Sequence, residues 1–119
     1  MVSSALIDRV IGGVEEFSAV IPAVPVKDTI KKIAKLGKVE QTVDRENLVN
    51  IQTPQGFLVS VFESALEKSG DDISAFTDDA AIVEAQGISV YSVMGDYRNI
   101  KITTPEDVPF AEELLKKQN

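Results

Sequence analysis

At 119 residues the chain has room for one ordinary domain, and its 44% hydrophobic content is that of a globular protein rather than a disordered one. It holds no histidine and no cysteine, which excludes a Ser-His-Asp triad, a cysteine nucleophile, a disulfide scaffold and a zinc site of the usual ligands. A net charge of −7 argues against general nucleic-acid binding, so any chemistry falls to carboxylates, lysine, arginine, hydroxyls, backbone dipoles or a hard metal ion.

Residues 4–16 predict a helix. Leu6, Ile7, Val10, Ile11 and Val14 recur on one stripe and Ser3 or Ser4 can cap it, while Gly12 and Gly13 weaken the pattern. The run SAVIPAVPV (18–26) reads as a buried strand, too short to cross a bilayer. Pro22 and Pro25 each lack a ladder donor, which predicts a strand that is short or at a sheet edge.

The next stretch, 27–45, is ambiguous. Ile30, Ile33 and Ala34 suit a helix ending at Gly37. The same residues suit a hairpin turning at Gly37-Lys38, with Val39, Gln41 and Val43 alternating against Glu40, Thr42 and Asp44. Five lysines, Lys27, Lys31, Lys32, Lys35 and Lys38, crowd this segment, whereas acids dominate 71–79 and 106–113.

LVNIQTPQGF follows as a short strand broken at Pro54. Residues 57–68 predict a helix, with Phe57, Leu58, Val61, Phe62, Ala65 and Leu66 on one stripe and Gly70 after it. Residues 77–84 predict another, capped by Thr77 and closed by Gly87. ISVYSVM reads as a strand and NIKIT as a second one, with Ile100 and Ile102 on one face and Lys101 on the other. A last helix is expected over 105–117. Strands alternating with helices predict an α/β architecture with a mostly parallel sheet, though with fewer strands than a full doubly wound domain needs.

Thr104, Pro105, Glu106 and Asp107 form a helix-start signal: a capping hydroxyl, a proline suited to the first turn, and two carboxylates that complement the helix dipole. Those carboxylates would repel an anion at this helix start. Lys101, just upstream and near the carboxyl end of a strand, is the cation in reach of a ligand there. By itself, a lysine at this position is more often a solvated edge residue.

GDYRNIKITTPED (95–107) resembles the C-terminal signature G-x-x-x-N-I-K-(I/V)-T-x-P-E-D of the 2-C-methyl-D-erythritol 4-phosphate cytidylyltransferase family. PVKDTIK (25–31) is similar to the family's P-V-x-D-T. TVDRENLVNIQTPQGF (42–57) resembles T-V-D-R-x-x-L with Q-T-P-Q-x-F, and FTDDAAIVEAQG (76–87) resembles the T-D-(E/D)-(A/S) segment. The matches fall in order along nearly the whole chain.

The resemblance implies an enzyme that joins CTP to methylerythritol phosphate with release of pyrophosphate, in the non-mevalonate isoprenoid pathway of the cytoplasm, with Mg²⁺ as cofactor. It implies the C-terminal part of a Rossmann-like nucleotidyltransferase sheet, one partial domain over 1–119, with 27–45 a projecting β-arm that forms a homodimer. Neither nucleic acid nor membrane is an implied partner. It assigns Lys101 and Arg45 to catalysis, and Thr29, Arg45, Thr53, Thr77 and Lys101 to the substrate pocket, Thr29 and Arg45 serving the partner's site. Taken one by one, Arg45 can be a surface arginine paired with Asp44 or Glu46, Thr53 a turn residue, and Thr77 a helix cap.

The chain departs from the family in one respect. It contains no G-x-G-x-R loop for CTP and no H-D-A-A-R-P segment, whose aspartate holds the metal. The expectation is therefore the C-terminal half of the enzyme, inactive alone, with no metal ligand of its own. A related polyol-phosphate enzyme acting on ribitol 5-phosphate, and a non-catalytic dimerisation module, are the alternatives.

Overall fold

The computed structural model describes residues 1–71 and 73–118; Asp72, within the acidic stretch 71–79, and Asn119 lie outside the described residues. The elements run α1 (Ser4–Phe17), β1 (Ala19–Pro25), β2 (Ile30–Ile33), β3 (Val39–Val43), β4 (Val49–Ile51), β5 (Gly56–Phe57), α2 (Val59–Ser69), α3 (Asp79–Glu84), β6 (Tyr91–Met94) and α4 (Asp107–Gln118).

Strand β1 is the centre of the sheet. It pairs antiparallel with β4 through Ala23–Ile51 and with β5 through Ala19–Phe57, and parallel with β6 from Val20–Tyr91 to Ala23–Met94. The mostly parallel sheet expected from the sequence is thus mixed, and the proline-bearing strand is central rather than short or at an edge. The prolines fit because their missing donors fall in gaps of the ladder. The Pro22 carbonyl takes Gln52 N–H at 2.8 Å, so its nitrogen faces the bend between β4 and β5. Pro25 lies past the last β1–β6 pair.

Helix α1 covers one face of the sheet. Ser3 caps it, accepting the N–H of Leu6, and Leu6, Val10 and Gly13 are buried. A side-chain carbon on Gly13 would meet Val93 at 2.9 Å and Val20 at 3.0 Å. The glycine that weakens the helical pattern is therefore where the helix touches the sheet. Ile7 and Ile11, on the predicted apolar stripe, lie outside this contact and are exposed. On the other face Ala19 packs with Ala65 of α2 and with Ile82 and Val83 of α3. Fully burying a valine such as Val20 or Val83 contributes about 1.5–3 kcal/mol.

Several local expectations shift. Phe57 belongs to β5, and α2 starts two residues later than the apolar stripe suggests, because Phe57 is paired with Ala19 in the sheet. The cap of α3 is Asp78, whose carboxylate accepts the Ala81 N–H at 2.9 Å, and not Thr77. Segment 27–45 is a hairpin, β2 against β3 with a bulge at Lys32/Ile33, and its tip carries Leu36 at φ 64° and Gly37 at φ 79°.

Two corrections concern the C-terminal signature. NIKIT is not a strand. Its backbone carbonyls are taken by other partners: the Met1 amine bonds Ile100 O at 2.9 Å, and the Gln52 amide lies 3.3 Å from Asn99 O. Helix α4 begins at Asp107, later than a Thr104 cap would place it. The Asp107 carboxylate instead reaches back to the N–H groups of Thr103 and Thr104, both at 2.9 Å. No helix among the described residues is long and apolar enough to cross a membrane.

Two outcomes follow. Gly13→Ala should lower stability by about 1–3 kcal/mol through overpacking, whereas Gly12→Ala, with open space around it, should raise it by about 0.5–1 kcal/mol; urea midpoints of the two variants check this. The backbone N–H groups of Thr104 and Thr103 hold the Asp107 carboxyl below its ordinary value of 3.8. A carboxylate depressed by folding contributes above that ordinary value and stops contributing as pH falls through its lowered one. Amide shifts of Thr103 and Thr104 should therefore titrate in that acid window, and the titration should vanish in Asp107→Asn.

Candidate functional site

The parallel strands β1 and β6 end side by side, and both chain segments that leave them lead to the same place. β1 runs into the hairpin arm, and β6 runs into the loop 95–101 that carries Lys101. This is the carboxyl-end position where open α/β sheets hold ligands. Lys101 is expected from the sequence near the end of its own strand; its segment is instead a loop that follows the end of β6.

Gln52 fastens that loop. Its amide nitrogen donates to Asp96 O at 2.8 Å and lies 3.3 Å from Asn99 O, while its Oε1 accepts Asp96 N–H at 3.0 Å. Asn99 returns a bond from its Nδ2 to Thr53 O at 2.7 Å. Gly95 must be glycine here, because a side-chain carbon would collide with Gln52 Oε1 and crowd the Ala23 backbone at 3.2 Å. Within the loop, Arg98 pairs with the Asp96 carboxylate at 3.1 Å. The Arg98 side-chain hydrogen bond, followed by its backbone N–H, holds the Asp96 carboxyl below the usual carboxylate range, against some desolvation.

The segment 52–55 crosses from β4 to β5 through a cis Thr53–Pro54 peptide. Behind it, Gln55 is locked to the start of α3: its Oε1 accepts Ala80 N–H at 2.9 Å and its Nε2 donates to Asp78 Oδ2 at 2.9 Å. A cavity of about 510 Å³ opens between these parts, lined among others by Val24, Gln52, Thr53, Gln55, Asp78, Tyr97 and Lys101. A neighbouring hollow of about 480 Å³ shares Thr53, Gln55, Asp78 and Lys101 with it, and adds Thr77 and Asp79.

Of the residues singled out in the sequence, Lys101, Thr53 and Thr77 meet at this double cavity. Thr29 and Arg45 do not line it. They stand at the root of the arm, where Arg45 donates to the Lys27 carbonyl. Sequence reasoning passed over Gln52, Gln55, Asp78 and Asn99. The two glutamines flank the proline of QTPQ and Asn99 opens NIK, so the motifs held them. Their role was invisible because it consists of bonds to distant backbone.

Among the described residues no three Asp, Glu, His or Cys side chains come together as a group able to hold a metal ion. The Mg²⁺ expected from the resemblance has no ligand set in these residues. Asp78 is already committed to Ala81 and Gln55.

Known proteins resemble this chain over nearly its whole length. The family model for 2-C-methyl-D-erythritol 4-phosphate cytidylyltransferase matches residues 1–117. The cytidylyltransferase of that name from Geobacillus thermodenitrificans is 52% identical over 100 residues, covering 84% of this chain and 43% of the relative. That from Bacillus cereus is 45% identical over 117 residues, covering 98% and 51%. The chain spans about half the length of the curated relatives it matches. The crystal structure of the Thermus thermophilus cytidylyltransferase superimposes with a TM-score of 0.87 at 33% identity, over 98% of this chain and 57% of that one. The 4-diphosphocytidyl-2C-methyl-D-erythritol synthase of Anaerococcus prevotii gives 0.82 at 37% identity, over 96% and 53%. With the ordered motifs, the α/β sheet and these matches in agreement, the chain belongs to the 2-C-methyl-D-erythritol 4-phosphate cytidylyltransferase family.

Proposed function

We propose that this chain carries the polyol-phosphate side of an enzyme that joins CTP to 2-C-methyl-D-erythritol 4-phosphate, releasing pyrophosphate, in the non-mevalonate route to isoprenoids. The observation that supports this most is the convergence of Lys101, Thr53 and Thr77, from three separate segments, on one cavity. In the reaction a phosphate oxygen of the polyol attacks the α-phosphorus of CTP. A P–O bond forms there while the bond to the β-phosphate oxygen breaks, and the electron pair leaves on pyrophosphate.

Such a transfer asks for position and charge rather than a covalent nucleophile. The Lys101 ammonium gathers the substrate phosphate and holds the charge that develops on transfer. The hydroxyl of Thr53 can donate to its oxygens, while that of Thr77, beside Asp78 at the start of α3, meets the polyol end. Asp78 and Asp79, which line the same hollow, would repel a phosphate but suit the hydroxyls of a polyol. The substrate therefore lies with its phosphate toward Lys101 and its hydroxyls toward α3. Mg²⁺, when bound, would supply charge neutralisation on the triphosphate. We place the reaction in the cytoplasm, the compartment suited to a cysteine-free chain.

We assign Thr29 and Arg45 to the neighbouring site of a homodimer built through the 27–45 arm. The guanidinium fork of Arg45 suits two phosphate oxygens. A two-stranded hairpin is marginal alone, and this one leaves Ile33 62% and Leu36 107% exposed.

Lys101→Ala should weaken binding of methylerythritol phosphate by roughly one to two powers of ten, the contribution of a charged hydrogen bond. Its melting temperature should match the parent, since Lys101 is exposed. Calorimetric titration decides, and unchanged affinity would make Lys101 a solvated loop lysine. For the arm, Leu36→Asp should raise the dimer dissociation constant by at least about tenfold. Sedimentation that shows only monomer for the parent chain at micromolar concentration would defeat the dimer assignment.

A further inference from the structure

The arm and the Lys101 loop leave the sheet from neighbouring strand ends, and one side chain spans the two. Tyr97 sits in the loop between Asp96 and Arg98. Its hydroxyl donates to the Pro25 carbonyl at 2.7 Å, at the point where β1 ends and the arm begins. Its ring lies under the Lys27 ammonium, 3.6 Å from ring centroid to Nζ. The Lys27 carbonyl in turn accepts from Arg45, at the foot of the other arm strand. Tyr97 therefore grips both feet of the arm, one directly and one through Lys27. The loop it belongs to is itself fastened by Gln52 and Asn99.

We propose that Tyr97, with Lys27, is a positioning residue that sets the arm root and the Lys101 loop in register with each other. The chemistry of each contact supports this. Pro25 is paired with Val49 of β4 on one side, but it has no N–H and lies beyond the last β1–β6 pair, so on the side of the Lys101 loop the ladder gives this corner no bond. The tyrosine supplies a directional bond to that carbonyl and a π face to the cation next along the chain. Tyr97 also lines the larger cavity together with Lys101. In the dimer assigned above, the pair joins the loop of one site to the arm that serves the other. That functional consequence rests on the polyol-phosphate reading of the site.

The test uses the chain with 2-C-methyl-D-erythritol 4-phosphate as probe. There are two tyrosines and no tryptophan, so tyrosine emission reports Tyr91 and Tyr97 alone. A ligand-induced change in emission should survive Tyr91→Phe and vanish in Tyr97→Phe. Tyr97→Ala should weaken binding about tenfold. It should also speed amide exchange by about threefold or more at both 26–29 and 98–101. Lys27→Met should reproduce part of both effects, and Lys27→Arg, which restores the cation over the ring, should rescue them. Faster exchange confined to one of the two segments, or a Lys27→Met variant that behaves as the parent, would overturn the proposal. If the parent chain fails to bind the polyol phosphate, the site reading falls, and the two-segment exchange response alone decides the role of Tyr97.

Discussion

The site depends on one side chain, the amide of Gln52. An amide has both donors and an acceptor at one end, so it can bind the backbone N–H and C=O of a single residue together. Gln52 does this to Asp96 and extends a donor to Asn99. A loop without secondary structure would otherwise carry Lys101 with no fixed relation to Thr53. The bond that Asn99 returns to the Thr53 carbonyl closes the ring, and Gly95 leaves the space the amide needs. Removing the amide would leave backbone groups of the loop without partners, which costs more than the bonds themselves contribute.

A second constraint is the placement of proline in β1. A strand paired on both sides normally excludes proline. Here Pro22 faces the bend between β4 and β5, and Pro25 lies where β6 has ended. Each proline thus marks a place where the ladder is interrupted, and each interruption borders the site. The first opens the 52–55 crossing. The second releases the arm, at the corner held by Tyr97.

The electrostatics of the cavity are divided. Lys101 lines the smaller hollow together with Asp78 and Asp79, in a chain whose net charge is −7. Asp78 spends its oxygens on Ala81 and Gln55, which spreads its charge into the start of α3. A hollow lined by charges of both signs suits a ligand that carries both an anionic group and hydroxyls.

Periodicity by itself marked α1, the buried run of β1 and the helix at α2, because the alternation of apolar residues is a local record of which face is covered. The ordered motifs identified the family and named Lys101, Thr53 and Thr77. Local signals failed where a distant partner competes for the same backbone. The bounds of α3 and α4 shifted for a nearer reason: Asp78, one residue past Thr77, accepts the Ala81 N–H as the cap of α3, and the Asp107 carboxylate turns back to the N–H groups of Thr103 and Thr104 ahead of α4. NIKIT has the alternation of a strand, yet the Met1 amine and Gln52 reach carbonyls of that segment, so it is a loop. The choice between helix and hairpin at 27–45 was likewise open to composition. Only tertiary structure brought Gln52 to Asp96 and Tyr97 to Pro25, because a hydrogen bond between residues this far apart in the chain leaves no period in the sequence.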